Sequence, residues 1–162
     1  MSLRKHHICY AAIAALAAAD QAVKHIVSTH MHLGETIPIV ENALHITYVS
    51  NNGGAFSILQ GQAALLLAVP AVLAVAIIAY IHKMRNSSRI FPLLALALIC
   101  GGGLGNFIDR ARLGFVVDFI DFRVFPVFNI ADIGVCCGCG LLFLHMVFLD
   151  KPSKVNNGGA TQ

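Results

Sequence analysis

The chain has 162 residues, of which 57% are hydrophobic and only 12% are charged, and its formal net charge is +3. These values and a mean hydropathy of +0.76 exclude an ordinary water-soluble domain. The composition therefore predicts a membrane protein, and we expect no nucleic-acid partner.

Four segments are long and apolar enough to be membrane-spanning helices. A span needs about 20 predominantly apolar residues to cross roughly 30 Å of hydrocarbon, a requirement met by residues 8–27, 62–82, 90–108 and 130–149. The predicted fold class is a membrane all-α bundle of four transmembrane helices. We expect a single domain over residues 1–150 and a disordered cytoplasmic tail over residues 151–162.

The first span has one competing interpretation. Small residues before Asp20 resemble the cleavage site of a secretory signal peptide. However, Asp20 and Lys24 lie at i and i+4 of a helix, where an acid and a base can pair. The pair favours a retained helix.

Lysine and arginine residues indicate which loops stay in the cytoplasm. They occur before span one, between spans two and three, and after span four, whereas residues 28–61 contain none. Both termini are therefore predicted to be cytoplasmic. Arg110, Arg112 and Arg123 break this rule, which suggests that they pair with carboxylates or meet lipid headgroups.

The two outer connections are predicted to differ in structure. Residues 28–61 contain alternating apolar positions typical of β-strands and a tight-turn signal at Asn52-Gly53, so they predict a small β-strand platform on the outer face. Residues 110–129 contain five phenylalanines interleaved with charged residues. This pattern indicates either an interfacial segment that dips into the bilayer or phenylalanines that pack on the platform.

The pattern Asn-x-x-Asp occurs near the end of span three, as Asn106 and Asp109, and at the start of span four, as Asn129 and Asp132. An ionised side chain at membrane depth costs about 2.5 kcal/mol or more, so both carboxylates are candidate functional groups. Pairing of Asp109 with Arg110 and helix capping by Asp132 would not explain the repeat. Antiparallel helices would bring the carboxylates face to face, where one keeps a proton and the other is a base for activating water.

We expect neither a metal site nor a cofactor. Cys136, Cys137 and Cys139 lie within one helical turn, so their side chains fan out and cannot supply a tetrahedral ligand set. His30 and His32 are a weak metal signal because no carboxylate cluster accompanies them.

The chain resembles signal peptidase II, the lipoprotein signal peptidase of bacterial membranes, from about residue 7 to residue 149. Five motifs match in order: Asp20-Gln21-x-x-Lys24, Asn51-x-Gly53-Gly54-Ala55-Phe56, glycines running into Asn106-x-x-Asp109-Arg110, Val116-Val117-Asp118-Phe119, and Phe128-Asn129-x-Ala131-Asp132. Two departures are visible. Gly54 stands where the family often has alanine, and Ile133-Gly134 stand where a serine is common.

The resemblance implies an intramembrane aspartic endopeptidase that removes signal peptides from diacylglyceryl-modified prolipoproteins by cutting before the lipidated cysteine. It implies that Asp109 and Asp132 are catalytic. It also implies supporting or substrate-binding roles for seven residues: Asp20, Lys24, Asn51, Gly53, Asn106, Arg110 and Asn129. The expected location is the bacterial cytoplasmic (inner) membrane, with the active site near the outer face.

We expect the lipid-modified prolipoprotein and membrane phospholipids as partners, and a monomeric chain. The alternative is a small proton-coupled transporter in which Asp and Lys residues relay ions. It predicts a site near the bilayer midplane, whereas the ionisable residues here gather at one face.

Overall fold

The computed structural model of the protein describes residues 3–53, 62–87 and 89–149. These residues form four α-helices and one three-stranded antiparallel sheet with strand order β1-β2-β3. The elements in chain order are α1 (Leu3–His30), β1 (Thr36–Val40), β2 (Leu44–Asn51), α2 (Ala63–Lys83), α3 (Ile90–Leu113), β3 (Val116–Asp121) and α4 (Ile130–Leu144), which continues as a π-helical turn at His145–Leu149. The predicted tail and the Gly54-Ala55-Phe56 part of the second motif lie outside the described residues.

Three of the described helices are long and apolar enough to cross a membrane, judged by length and composition. They are Ala64–Lys83, Ile90–Leu113 and Ile130–Leu149, which confirms three of the predicted helical segments. The α1 segment is a helix of 28 residues but is not one of these three. Its crossing of the membrane stays a prediction.

Helix α3 is central, because it packs against α1, α2 and α4. Small residues allow the closest approach, that of α3 to α4. A Cβ at Gly102 would collide with the backbone oxygen of Ala131, and a Cβ at Gly138 would lie 2.6 Å from the backbone oxygen of Ala95. This is the contact between small residues that membrane helices use to pack tightly.

The sheet lies at the end of the bundle where α1 and α3 end and α4 begins; we call this the sheet end. Strands β1 and β2 occur in the connection whose alternating pattern predicted strands. Strand β3 comes from the connection for which an interfacial segment was one of two predictions. Phe119 in β3 is only 3% exposed and packs against Val27 and Met31, so this phenylalanine is buried between the sheet and the end of α1.

Candidate active site

Three residues of α1 tie the sheet-end turns of α3 and α4 together. Asp20 accepts a hydrogen bond from the backbone N–H of Ala131 through Oδ1 at 2.9 Å, and its Oδ2 lies 2.8 Å from the Lys24 ammonium. Gln21 donates from Nε2 to Asp109 Oδ1 at 2.7 Å. Because Asp20 and Lys24 are fully or almost fully buried, their charges depend on each other and on these partners.

Asp109 belongs to this buried cluster. Its Oδ2 lies 3.0 Å from Lys24 Nζ and accepts the backbone N–H of Val117 at 3.0 Å, while Oδ1 accepts from Gln21. The side chain is 3% exposed. The repeated Asn-x-x-Asp motif predicts that Asp109 faces Asp132, but the structure directs both Asp109 oxygens to α1 and the start of β3.

Two other carboxylates share the wall of a large cavity. The cavity has a volume of about 660 Å³ and lies between α2, α3, α4 and the sheet. Asp118 of β3 and Asp132 of α4 line it, as do Asn51, Asn106 and Arg110. Its other walls are largely apolar and include Leu65, Leu66, Val69 and Pro70 of α2, Phe125, Val127, Phe128 and Val135.

Asp118 is 2% exposed and lies between two side-chain amides. Its Oδ1 accepts from Asn129 Nδ2 at 2.6 Å, and its Oδ2 accepts from Asn51 Nδ2 at 2.9 Å. Burial raises the pKa of Asp118 to about 6; the hydrogen bonds from the two asparagines oppose this rise, and the charge of Asp132 adds to it. A raised pKa beside a second carboxylate is what a pair that shares one proton requires.

Asp132 is held by the start of α4. The Asn129 side chain accepts the Asp132 N–H at 2.9 Å, and Asp132 Oδ2 accepts the Asn129 N–H at 3.3 Å, which together form a capping box. Asn106 Nδ2 donates to Asp132 Oδ1 at 2.8 Å. The capping role considered from the sequence is therefore present, and it positions the carboxylate on the cavity wall.

Arg110 lines the polar side of the cavity, and Gly53 lies behind Asn51. Arg110 interacts electrostatically with Asp118, Asp132 and Asp109, and its Nε is buried with no hydrogen-bond partner among the described residues. The Gly53 N–H donates to Asn51 Oδ1 at 3.0 Å. This bond turns the NH₂ group of Asn51 toward Asp118.

The structure thus divides the residues predicted for the site into two connected sets. Asn51, Asn106, Arg110 and Asp132 line the cavity, with Asn129 buried between Asp118 and Asp132 and Gly53 behind Asn51. Asp20, Lys24 and Asp109 form the buried cluster with α1. Asp118 and Gln21 were not predicted as site residues, although both stand inside motifs that match the family. No group of three or more metal-ligating side chains occurs in the described ranges.

Comparison with known proteins identifies the family. A family model described as signal peptidase (SPase) II matches residues 12–148. The chain belongs to the signal peptidase II family. It is therefore a peptidase of the aspartic type, and the transporter hypothesis is not supported.

Individual relatives agree with this assignment. Lipoprotein signal peptidase of Halothermothrix orenii is 45% identical over 127 residues, which cover 78% of this chain and 86% of that protein. Lipoprotein signal peptidase of Geobacillus thermodenitrificans is 44% identical over 153 residues, which cover 92% and 95%. A solved structure of a bacterial membrane enzyme, obtained by the in meso method at 2.3 Å resolution, superposes with a TM-score of 0.80 and 30% identity and covers 92% of this chain and 94% of that one.

Proposed function

We propose that this signal peptidase II cuts lipid-modified prolipoproteins in the cavity at the sheet end, with Asp118 and Asp132 as its catalytic pair. One observation carries the choice of pair. Asp118 and Asp132 line the same cavity and share Asn129 as a hydrogen-bond partner. Asp109 has its oxygens committed to Gln21, Lys24 and the backbone of Val117.

The pair supplies an acid and a base. Asp132 accepts hydrogen bonds from the Asn106 amide through Oδ1 and from the Asn129 backbone through Oδ2, and we assign it the role of the base. Ionised Asp132 takes a proton from a water molecule as that water attacks the scissile carbonyl. Asp118, with its raised pKa, donates its proton to the carbonyl oxygen, which gives a gem-diol intermediate. As the C–N bond breaks, Asp132 passes the proton taken from water to the leaving nitrogen, and Asp118 recovers a proton from the gem-diol.

The cavity walls suit a lipid-modified peptide. Apolar residues of α2 line one side and provide contacts for the acyl chains of a diacylglyceryl group, each buried methylene of which contributes about 0.8 kcal/mol. Arg110 lies among the polar residues on the other side and has donors for a peptide carbonyl oxygen. In this arrangement the scissile bond lies just before the lipidated cysteine.

The proposal includes a placement in the membrane. Four spans, with α1 as the first, would cross the bacterial inner membrane with both termini in the cytoplasm, as the distribution of Lys and Arg predicts. The sheet end would then lie at the outer face, where its apolar residues meet phospholipids. A single chain holds all residues of the proposed site, so we propose a monomer.

The decisive experiment compares Asp118→Asn, Asp132→Asn and Asp109→Asn in the purified enzyme with a lipidated precursor. We expect the first two variants to lose turnover by about 10²- to 10⁴-fold, the usual contribution of acid–base groups. They should still bind precursor, because the apolar wall is unaltered. Asp109→Asn should lower the melting temperature and, below that temperature, keep turnover within about tenfold of the parent.

Asp109→Asn is the matched control because it makes the same chemical change in a carboxylate that does not line the cavity. Near-normal cleavage by Asp118→Asn would remove Asp118 from the pair. If well-folded Asp109→Asn were then as inactive as Asp132→Asn, the original prediction of Asp109 with Asp132 would be restored.

A further inference from the structure

Lys24 is fully used as a hydrogen-bond donor, although it does not line the cavity. Its ammonium lies 2.8 Å from Asp20 Oδ2 and 3.0 Å from Asp109 Oδ2, and it donates to Asn106 Oδ1 at 2.9 Å. An ammonium has three donors and no acceptor. Each of its hydrogens therefore has one acceptor, and two of the three acceptors are carboxylates that hold the lysine in place.

The third contact determines the direction of the Asn106 amide. Asn106 Oδ1 faces two donors, Lys24 Nζ at 2.9 Å and Asn129 Nδ2 at 3.1 Å. The NH₂ group must consequently point the other way, and there it donates to Asp132 Oδ1 at 2.8 Å. A reversed amide would place NH₂ against an ammonium and an oxygen against a carboxylate, which are both repulsive arrangements.

We propose that Lys24 is a positioning residue that fixes the Asn106 amide and, through it, keeps Asp132 as the ionised base of the pair. The inference rests on the proposed pair of Asp118 and Asp132. Lys24 acts through Asn106 and does not touch the substrate. Without the ammonium, Asn106 loses the stronger of the two donors that hold its oxygen, since a bond from a charged donor is roughly twice as strong as a neutral one.

The test uses Asp20→Asn as its background, because Lys24→Met alone would leave two buried carboxylates without their cation. In this background the amide oxygen introduced at position 20 can still accept the Ala131 N–H, and Asp109 keeps the donors Gln21 Nε2 and Val117 N–H. Three variants are made in it: Lys24→Met, Asn106→Leu, and both together. Gln21→Met is the matched control, since it removes a bond to Asp109 from the same face of α1 without touching Asn106.

The measurement is the pH profile of kcat/KM with a lipidated precursor, together with the melting temperature. The acid limb is the part of the profile in which kcat/KM rises with pH. Lys24→Met should move this limb to higher pH by about one unit, so that kcat/KM falls about tenfold at pH values on the limb and less near the optimum. Asn106→Leu should move the limb similarly. The combined variant should move it no further, because both changes break the same relay, which runs from Lys24 through Asn106 to Asp132. Gln21→Met should leave the acid limb in place.

Three results would overturn the relay. A uniform loss at all pH values with an unmoved limb would make Lys24 purely structural. Additive movements of the limb would show that the lysine acts on the pair through space and not through Asn106. A movement with Gln21→Met as large as that with Lys24→Met would mean that any break in the α1 cluster has this effect. Failure of the catalytic pair itself is recognised separately, because Asp132→Asn would then remain active.

Discussion

Asn129 hydrogen-bonds to both residues of the proposed pair, and its backbone N–H donates to Asp132 Oδ2 at 3.3 Å. Its NH₂ donates to Asp118 Oδ1 at 2.6 Å, and its oxygen accepts the N–H of Asp132 at 2.9 Å. The residue is completely buried, so neither group can exchange its partner for bulk water. Asn129 therefore fixes the positions of two side chains that come from different elements, a strand and a helix.

The raised pKa of Asp118 predicts how activity responds to its second partner, Asn51. The hydrogen bond from Asn51 lowers this pKa and so opposes the effect of burial. Asn51→Ala should raise it above its value of about 6, and Asp118 should keep its proton to a higher pH. If Asp118 is the acid, the alkaline limb of kcat/KM should move upward in pH while the maximum falls.

The matched control is Thr47→Val, which removes a donor to Asp121 on the same strands and leaves Asp118 untouched. Its alkaline limb should coincide with that of the parent. An alkaline limb that stayed in place or moved downward in Asn51→Ala would show that Asp118 is not the group that titrates there.

Among the individual site residues, Asp132 was easier to predict from the sequence than Asp118. Asp132 stands in a repeated motif at a helix start, and local chemistry makes that position recognisable. Asp118 stands inside a run of strand residues. Its place in the site depends on a hydrogen bond from Asn51, which is 67 positions away in the chain. Pairing of that kind is set by the docking of β3 on β2, which no local pattern encodes.

The elements that carry the site are held together by a close approach of α3 and α4. Gly102 faces Ala131 and Val135 of α4, whereas a Cβ at Gly103, the next residue, would meet nothing within 4 Å. These adjacent residues of one helix therefore offer a comparison between a packed and an open glycine with the same helix propensity.

Gly102→Ala should destabilise the protein, because overpacking typically costs about 1–3 kcal/mol. It should also reduce turnover by shifting Ala131 and the neighbouring Asp132. Gly103→Ala should be neutral or raise the melting temperature, since alanine is better than glycine in a helix by about 1 kcal/mol. Thermal unfolding in detergent and cleavage of a lipidated precursor measure both effects. Equal melting temperatures for the two variants would contradict the close approach of α3 and α4.

The helices were more predictable than the sheet. Apolar length alone placed α2, α3 and α4. Only the end of α3 differed by more than one residue, because this helix continues to Leu113 and stops at Gly114, whose φ is +83°. The alternating pattern found the two strands that are neighbours in sequence. Strand β3 was missed because it is buried on both sides, and a strand without alternation resembles any short apolar segment.

The whole molecule has two chemically different ends. The proposed pair, the buried ion cluster and the sheet lie at one end, together with exposed Arg112 and with Arg123, which pairs with Asp121. The connection between α2 and α3 at the opposite end has a denser group of exposed basic residues, Lys83, Arg85 and Arg89. Such an asymmetry orients membrane proteins with the basic end in the cytoplasm. The cavity of the proposed site would then open toward the outer boundary of the bilayer, where a lipid-anchored precursor could reach it by lateral diffusion.

This orientation can be tested by labelling single cysteines introduced at Ser28 and Asn86, which are exposed residues at opposite ends of the bundle. The five natural cysteines are first replaced, and cleavage activity of that parent shows that its fold is retained. In intact spheroplasts a membrane-impermeant maleimide should label Ser28→Cys and not Asn86→Cys. After permeabilisation both should react, which shows that each thiol is accessible. Labelling of both variants from the outside before permeabilisation would exclude the four-span arrangement, since an odd number of crossings must separate the two positions.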